Sequence, residues 1–319
     1  MKILLVGCGA VGLGIAAALY AAGECPDLIA QGETYSAIKN GGIARRGIFE
    51  NVTVPKEQVR IFETVQEAGI GYDFVIVCCK TTVSEKVAEQ LVAQPDLLAK
   101  DGRIVLFQNG FEIEQPFLRY FDVKLLCAGS IITGFSRPRR NESVVTVHSA
   151  PAYIGAIGGG DGGTYLLACA ISAGGFPCEV TDDITKAQWA KMLYNCTLNP
   201  LSAILETSYG GLAQSSDAVL LMEKIIEEIY AVMNAAGYST HWATAEAYKE
   251  EFFGKRLPST VNHRASTLQD MERKIKTEID TLTGVVVRLG HAHGVPVPFN
   301  EMLYRLVKAK ESLYDFQQE

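Results

Sequence analysis

The chain opens with an apolar run, Ile3-Leu4-Leu5-Val6, set directly before Gly7, Gly9 and Gly12 in the spacing G-x-G-x-x-G. No other stretch constrains the fold as strongly. A strand that stops at a glycine and reopens as a helix over residues 11–22 must turn tightly, and the helix behind it starts with unbonded amides. The first glycine permits the turn, the second lets a pyrophosphate approach the backbone, and the third lets helix pack on strand. Gly7, Gly9, Ala10, Val11 and Gly12 are therefore candidate dinucleotide-binding residues.

The pattern continues with short apolar runs at 27–30, 74–78, 104–107 and 125–128, separated by segments of helical length. Such alternation predicts parallel strands joined by crossover helices. Further strands are expected at 144–147, 152–157 and 178–181. "GAIGGGDGG" after the second of these reads as a surface turn, because no Lys-Ser/Thr comes after it as a phosphate loop would require. From Ile184 the strand signals stop, and long amphipathic runs cover 217–236, 267–293 and 300–313. The expectation is an α/β chain: a Rossmann-type doubly wound sheet over residues 1–182, and an all-helical domain over 183–319 for substrate and catalysis. The boundary falls near 181–183.

At 319 residues, 48% apolar and 20% charged, the chain has enough material for two cores and the balance of a globular protein. A net charge of −7 argues against a nucleic-acid partner. Residues 3–23 carry no charge, but their glycines and the strand-like start speak against a membrane helix. Eight cysteines without CxxC spacing read as reduced thiols in a cytoplasmic protein. His291 and His293 lack ligand spacing, His148 lies in a strand-like segment, and no metal site is expected. The apolar faces of the helical part are compatible with a homodimer or with packing on one another.

"WAKMLYNCTLNP" places Lys191, Asn195 and Asn199 four residues apart, so on a helix their side chains form one stripe. Spacing alone leaves two arrangements open. In one, the stripe lines a pocket; in the other, the asparagines cap a helix that ends near Pro200 while Lys191 and Glu278 form a surface pair. Lys80 comes directly after "FVIVCC", at the strand end where such sheets bind ligands. The choice between nicotinamide cofactors rests on the residues just past the second strand. An acidic residue there favours NADH and a basic one NADPH, whereas this chain has Gln31, Gly32 and Glu33.

Taken together, "GCGAVG", Lys80 after "VCC", "QNG" at 108–110, "WAKMLYNCTLNP", "STLQDMERKIKTEID" and "GHAHGVPVP" resemble the ketopantoate reductase (2-dehydropantoate 2-reductase) family over nearly the whole chain. The resemblance implies NADPH-dependent reduction of a small 2-oxo acid, 2-dehydropantoate, to D-pantoate, a step of pantothenate biosynthesis, in a cleft between the two domains. It implies Lys191 as proton donor, with Glu278 binding the substrate's hydroxyl end and helping to set the lysine's state. Asn109, Asn195, Asn199 and Ser266 correspond to substrate-binding or orienting positions, and Gln31, Lys80 and Asn109 to positions near the cofactor. Gln31 departs from the family's usual arginine and leaves NADH as an alternative cofactor. The runner-up function is an NAD-dependent D-2-hydroxyacid dehydrogenase for another branched or aromatic 2-oxo acid; a third is a non-catalytic dinucleotide sensor. Residues 127–140 fall where substrate-proximal loops are expected.

Overall fold

The computed structural model describes residues 1–316, which pack as two compact units. The first comprises Met1–Gln108 and Ile113–Ile184; the second takes Asn109–Glu112 together with the chain from Thr185 onward.

The first unit is built on an eight-stranded sheet. Its strands are β1 (Ile3–Val6), β2 (Asp27–Ile29), β5 (Arg60–Phe62), β6 (Tyr72–Val77), β7 (Leu98–Leu106), β8 (Leu126–Ser130), β11 (Ala152–Ala156) and β12 (Cys178–Val180), in the spatial order β12-β11-β8-β7-β6-β1-β2-β5. All neighbouring pairs are parallel except β8 with β11. Apolar clusters cover both faces, which is why β1 and β6 read as continuous apolar runs rather than alternating ones. Strand order reverses beside β1, with β2 on one side and β6 on the other, so the ends of β1 and β6 mark the switch point where such sheets bind ligands.

A second, four-stranded sheet consists of β3 (Ile43–Gly47), β4 (Val52–Val54), β9 (Thr133–Arg139) and β10 (Glu142–His148), in the order β4-β3-β10-β9. Only β10 is signalled in the sequence. The stretch 127–140 does not form loops; it supplies most of β8 and all of β9. Charge conceals these strands: β3 carries Arg45 and Arg46, and β9 carries Arg137, Pro138 and Arg139.

The second unit is helical, around one apolar cluster. Its longest helices are Ile184–Ile204, Ser216–Ala235, Thr283–His293 and Pro298–Ser312. The run over 267–293 is not one helix. Ser266–Glu272 ends in a paired C-terminal cap, in which the Ile275 amide donates to the Asp270 carbonyl at 2.9 Å and the Lys274 amide to the Met271 carbonyl at 3.0 Å. Lys274 holds the left-handed position of that cap at φ 53°, where glycine is usual, so the sequence does not announce the stop. Nor does Ile184–Ile204 end near Pro200; the helix runs through it, with the proline inside.

Candidate active site

In the first unit the switch point has the shape that its glycines require. Gly7 lies at φ 101°, and a Cβ there would stand 2.5 Å from the Cys79 amide nitrogen, so the turns after β1 and β6 touch. A Cβ on Gly12 would meet the Gly7 carbonyl at 2.1 Å, which locks helix Ala10–Ala21 against the turn. Gly9, the N-cap, has nothing within 4 Å of an added Cβ. No side chain caps this helix, and its first internal bond runs from the Leu13 amide to the Gly9 carbonyl at 2.9 Å. The amides of Ala10, Val11 and Gly12 therefore point beyond the helix, at the positive end of its dipole and beside an open space. A pyrophosphate fits that cradle.

Gln31 is exposed just past β2, at the N-cap position of helix Gly32–Gly41, and its side chain makes no capping bond. Around it are groups to which the sequence assigned no role: Arg137 donates to Thr34 Oγ1 at 2.8 Å, and Arg140 pairs with Glu33 at 2.8 Å. The signal for both was present in "SRPRR", but a local reading could not show that a hairpin returns it to β2. Lys80 lies just past β6 at the switch point and is partly exposed.

In the second unit Lys191 lies on helix Ile184–Ile204, with Trp189, Met192 and Leu193 fully buried around it in sequence. Burial pushes the lysine's pKa down to about 8, against a smaller upward pull from the Glu278 carboxylate. Glu278 is 8% exposed, and its Oε2 accepts from Asn109 Nδ2 at 3.0 Å. Lys191, Glu278 and Asn109 are thus brought together from positions up to 169 residues apart.

Glu278 stands on irregular backbone between two helices, and the surroundings hold that segment. The Thr277 amide and hydroxyl donate to Glu311 Oε1 at 2.7 and 2.6 Å, and Thr281 Oγ1 donates to the Asn109 carbonyl at 3.1 Å. Gly110, at φ 111°, lies so close that a Cβ would be 2.3 Å from the Thr281 carbonyl oxygen. The carboxylate and the carboxamide that holds it are therefore fixed by shared backbone contacts. Neither Thr281 nor Gly110 stood out in the sequence as a support for the site.

The stripe on the helix divides. Asn195, one turn beyond Lys191, is partly exposed; Asn199 is 3% exposed, and its Oδ1 accepts from the Tyr209 hydroxyl at 2.6 Å. So Asn199 faces the core of the unit. Ser266 begins helix Ser266–Glu272 and is exposed. Among the described residues no group of three or more His, Cys, Asp and Glu could hold a metal ion, and His291 lies 3.2 Å from Glu301 at the surface. No helix of the described residues is long and apolar enough to cross a membrane.

Two family models match: "Ketopantoate reductase PanE/ApbA" over residues 3–159, and its C-terminal counterpart over 183–311. The 2-dehydropantoate 2-reductase of Aquifex aeolicus is 32% identical over 316 residues, covering 98% of this chain and 97% of the relative. The chain belongs to the ketopantoate reductase family. It is accordingly an oxidoreductase, and the fold agrees with that placement. A PanE/ApbA family ketopantoate reductase from Ralstonia eutropha superposes with a TM-score of 0.83 at 29% identity, covering all of both chains. A D-mandelate dehydrogenase solved with NADH and anilino(oxo)acetate gives the same TM-score at 23% identity, covering 98% of this chain and 99% of that one. That likeness is one of fold.

Proposed function

We propose that the protein reduces 2-dehydropantoate to D-pantoate with NADPH, and that Lys191 donates the proton. The observation that carries this reading is a lysine whose burial lowers its pKa to about 8, set against a carboxylate that Asn109 orients. Such an ammonium is charged at neutral pH yet gives up its proton more readily than an exposed lysine.

A nicotinamide held there would supply a hydride to the carbonyl carbon. The negative charge that then develops on the carbonyl oxygen is stabilised by the Lys191 ammonium, which passes its proton to that oxygen and completes the hydroxyl. Glu278 keeps the ammonium oriented and accepts from the substrate's hydroxyl end. Asn195 and Ser266 offer neutral donors to the substrate carboxylate without adding charge. Asn199, with its oxygen engaged by Tyr209, steadies the stripe from beneath. On the first unit the free amides of residues 10–12 and the open space at Gly9 receive the pyrophosphate, and Lys80 adds a cation at the switch point. None of the eight cysteines forms a disulfide, in keeping with a cytoplasmic setting.

The test is loss of nicotinamide absorbance with NADPH or NADH, using 2-dehydropantoate and a panel of bulkier branched and aromatic 2-oxo acids. Highest kcat/KM for 2-dehydropantoate with NADPH is the expected result. Preference for an aromatic 2-oxo acid with NADH would replace this reading with that of a D-2-hydroxyacid dehydrogenase. Absence of turnover with every pair, alongside tight dinucleotide binding, would leave a sensor.

A further inference from the structure

The end of β2 lacks the cation that a 2′-phosphate calls for, since Gln31 is neutral and the acid nearby is Glu33. In a sheet of this kind the adenosine ribose lies against the residues just past β2, so whatever stands there meets either a 2′-hydroxyl or a 2′-phosphate. Two guanidiniums reach that segment from a distant part of the chain. Arg137 donates through Nη2 to Thr34 Oγ1 at 2.8 Å and also to the Arg140 carbonyl, while Arg140 Nη2 lies 2.8 Å from Glu33 Oε2.

Their placement is fixed by the hairpin that carries them. β9 and β10 pair antiparallel with Arg139 opposite Glu142, and β10 runs parallel to β3. Asn141, in the turn, donates to the Gly42 carbonyl at 3.0 Å, at the far end of helix Gly32–Gly41. Ser143 donates to the Ala10 carbonyl at 2.7 Å, in the first turn of the helix that follows β1. The hairpin is thus tied to the dinucleotide cradle and to the helix after β2. The charge of Arg137 is felt as far as Cys8, where it opposes the upward effect of burial on the thiol.

We propose that Arg137 and Arg140 form the subsite for the adenosine 2′-phosphate of NADPH, taking over from the hairpin the role of a cation at position 31. The inference rests on the dinucleotide reading of the first unit. Arg140 faces a carboxylate, whereas Arg137 reaches the same segment through a neutral hydroxyl, that of Thr34. The Arg140–Glu33 pair is exposed, at 59% and 78% for the two side chains, so it holds little energy of its own and yields readily to a dianion. A phosphomonoester offers the oxygens that a guanidinium binds in pairs, which a ribose hydroxyl does not.

Titration calorimetry with NADPH, NADH, ADP-ribose and 2′-phospho-ADP-ribose tests the assignment without turnover. The wild-type protein should bind both 2′-phosphorylated ligands more tightly than their counterparts. Arg140→Gln, at an exposed position, and the double variant with Arg137→Gln should each raise the Kd of the 2′-phosphorylated ligands by about tenfold or more, and leave the other two within about twofold. Equal weakening of all four ligands, or no change in any, overturns the proposal. Wild-type preference for NADH overturns it while the dinucleotide reading stands, and failure to bind any of the four overturns both.

Discussion

At Lys191 two opposed influences act on one proton, and the larger wins: burial lowers the pKa to about 8 and Glu278 pulls it part of the way back. A general acid must be protonated to act. Hence kcat/KM should be level below about pH 8 and fall above it, in a profile recorded with saturating cofactor. Glu278→Gln removes the upward pull and should move that falling limb to lower pH; a limb that stays in place, or moves up, would separate the two residues. Lys191→Ala should cut kcat by about 10²- to 10⁴-fold while the Kd for the dinucleotide is kept, since the residue belongs to the other unit. Comparable loss of cofactor binding would argue against a role in proton transfer. Sequence made Lys191 and its stripe legible because four-residue spacing is local. The Asn109–Glu278 bond was not legible from spacing, because 169 residues separate its partners. Nor could spacing tell that Asn199 turns to Tyr209 while Lys191 and Asn195 stay partly open.

Among the elements, the strand-turn-helix over residues 3–21 was the most legible, because every part of it is contiguous and each glycine answers a different steric demand. Those demands predict different failures. Gly12→Ala forces a Cβ to 2.1 Å from the Gly7 carbonyl and should destabilise the protein by about 1–3 kcal/mol in a denaturant titration. Gly9→Ala meets open space, so stability should stay within about 1 kcal/mol while the dinucleotide Kd rises at least about tenfold, by calorimetry. Equal behaviour of the two variants would refute the division of roles. The elements that escaped the sequence did so for different reasons. β3 finds β10 nearly a hundred residues on, and the stop after Glu272 uses Lys274 where a glycine would have signalled it. The first depends on a tertiary contact that overrides local preference, and the second on a local cap whose left-handed position is filled by an unusual residue.

For the whole molecule, a net charge of −7 coexists with a local pair of arginines beside β2. Overall repulsion should keep the protein from heparin at moderate salt, while a small anionic cofactor still finds its site. Retention on heparin that a dinucleotide does not relieve would point to a polyanion partner. Ligand linkage offers a second measurement: at a hundred times its Kd, NADPH should stabilise the unit that binds it by about 2.7 kcal/mol, or a rise of roughly 5–10 °C in the thermal midpoint. No shift would mean that the cradle at Gly9 does not bind the cofactor.

The four residues Asn109–Glu112 belong to the second unit although the chain on either side belongs to the first, so the backbone passes between units three times, after 108, 112 and 184. Phe111 is the anchor of that excursion, its ring centroid 5.0 Å from those of both Trp189 and Tyr238. For anyone recombining genes this matters more than the boundary near 184. The helical half is not a cassette: a chimera joined at that boundary alone would bring in a core with Phe111 and the Asn109 clasp on Glu278 supplied by the wrong parent. Grafting substrate preference from a relative therefore means exchanging two separate stretches of the gene, one of them only four codons long.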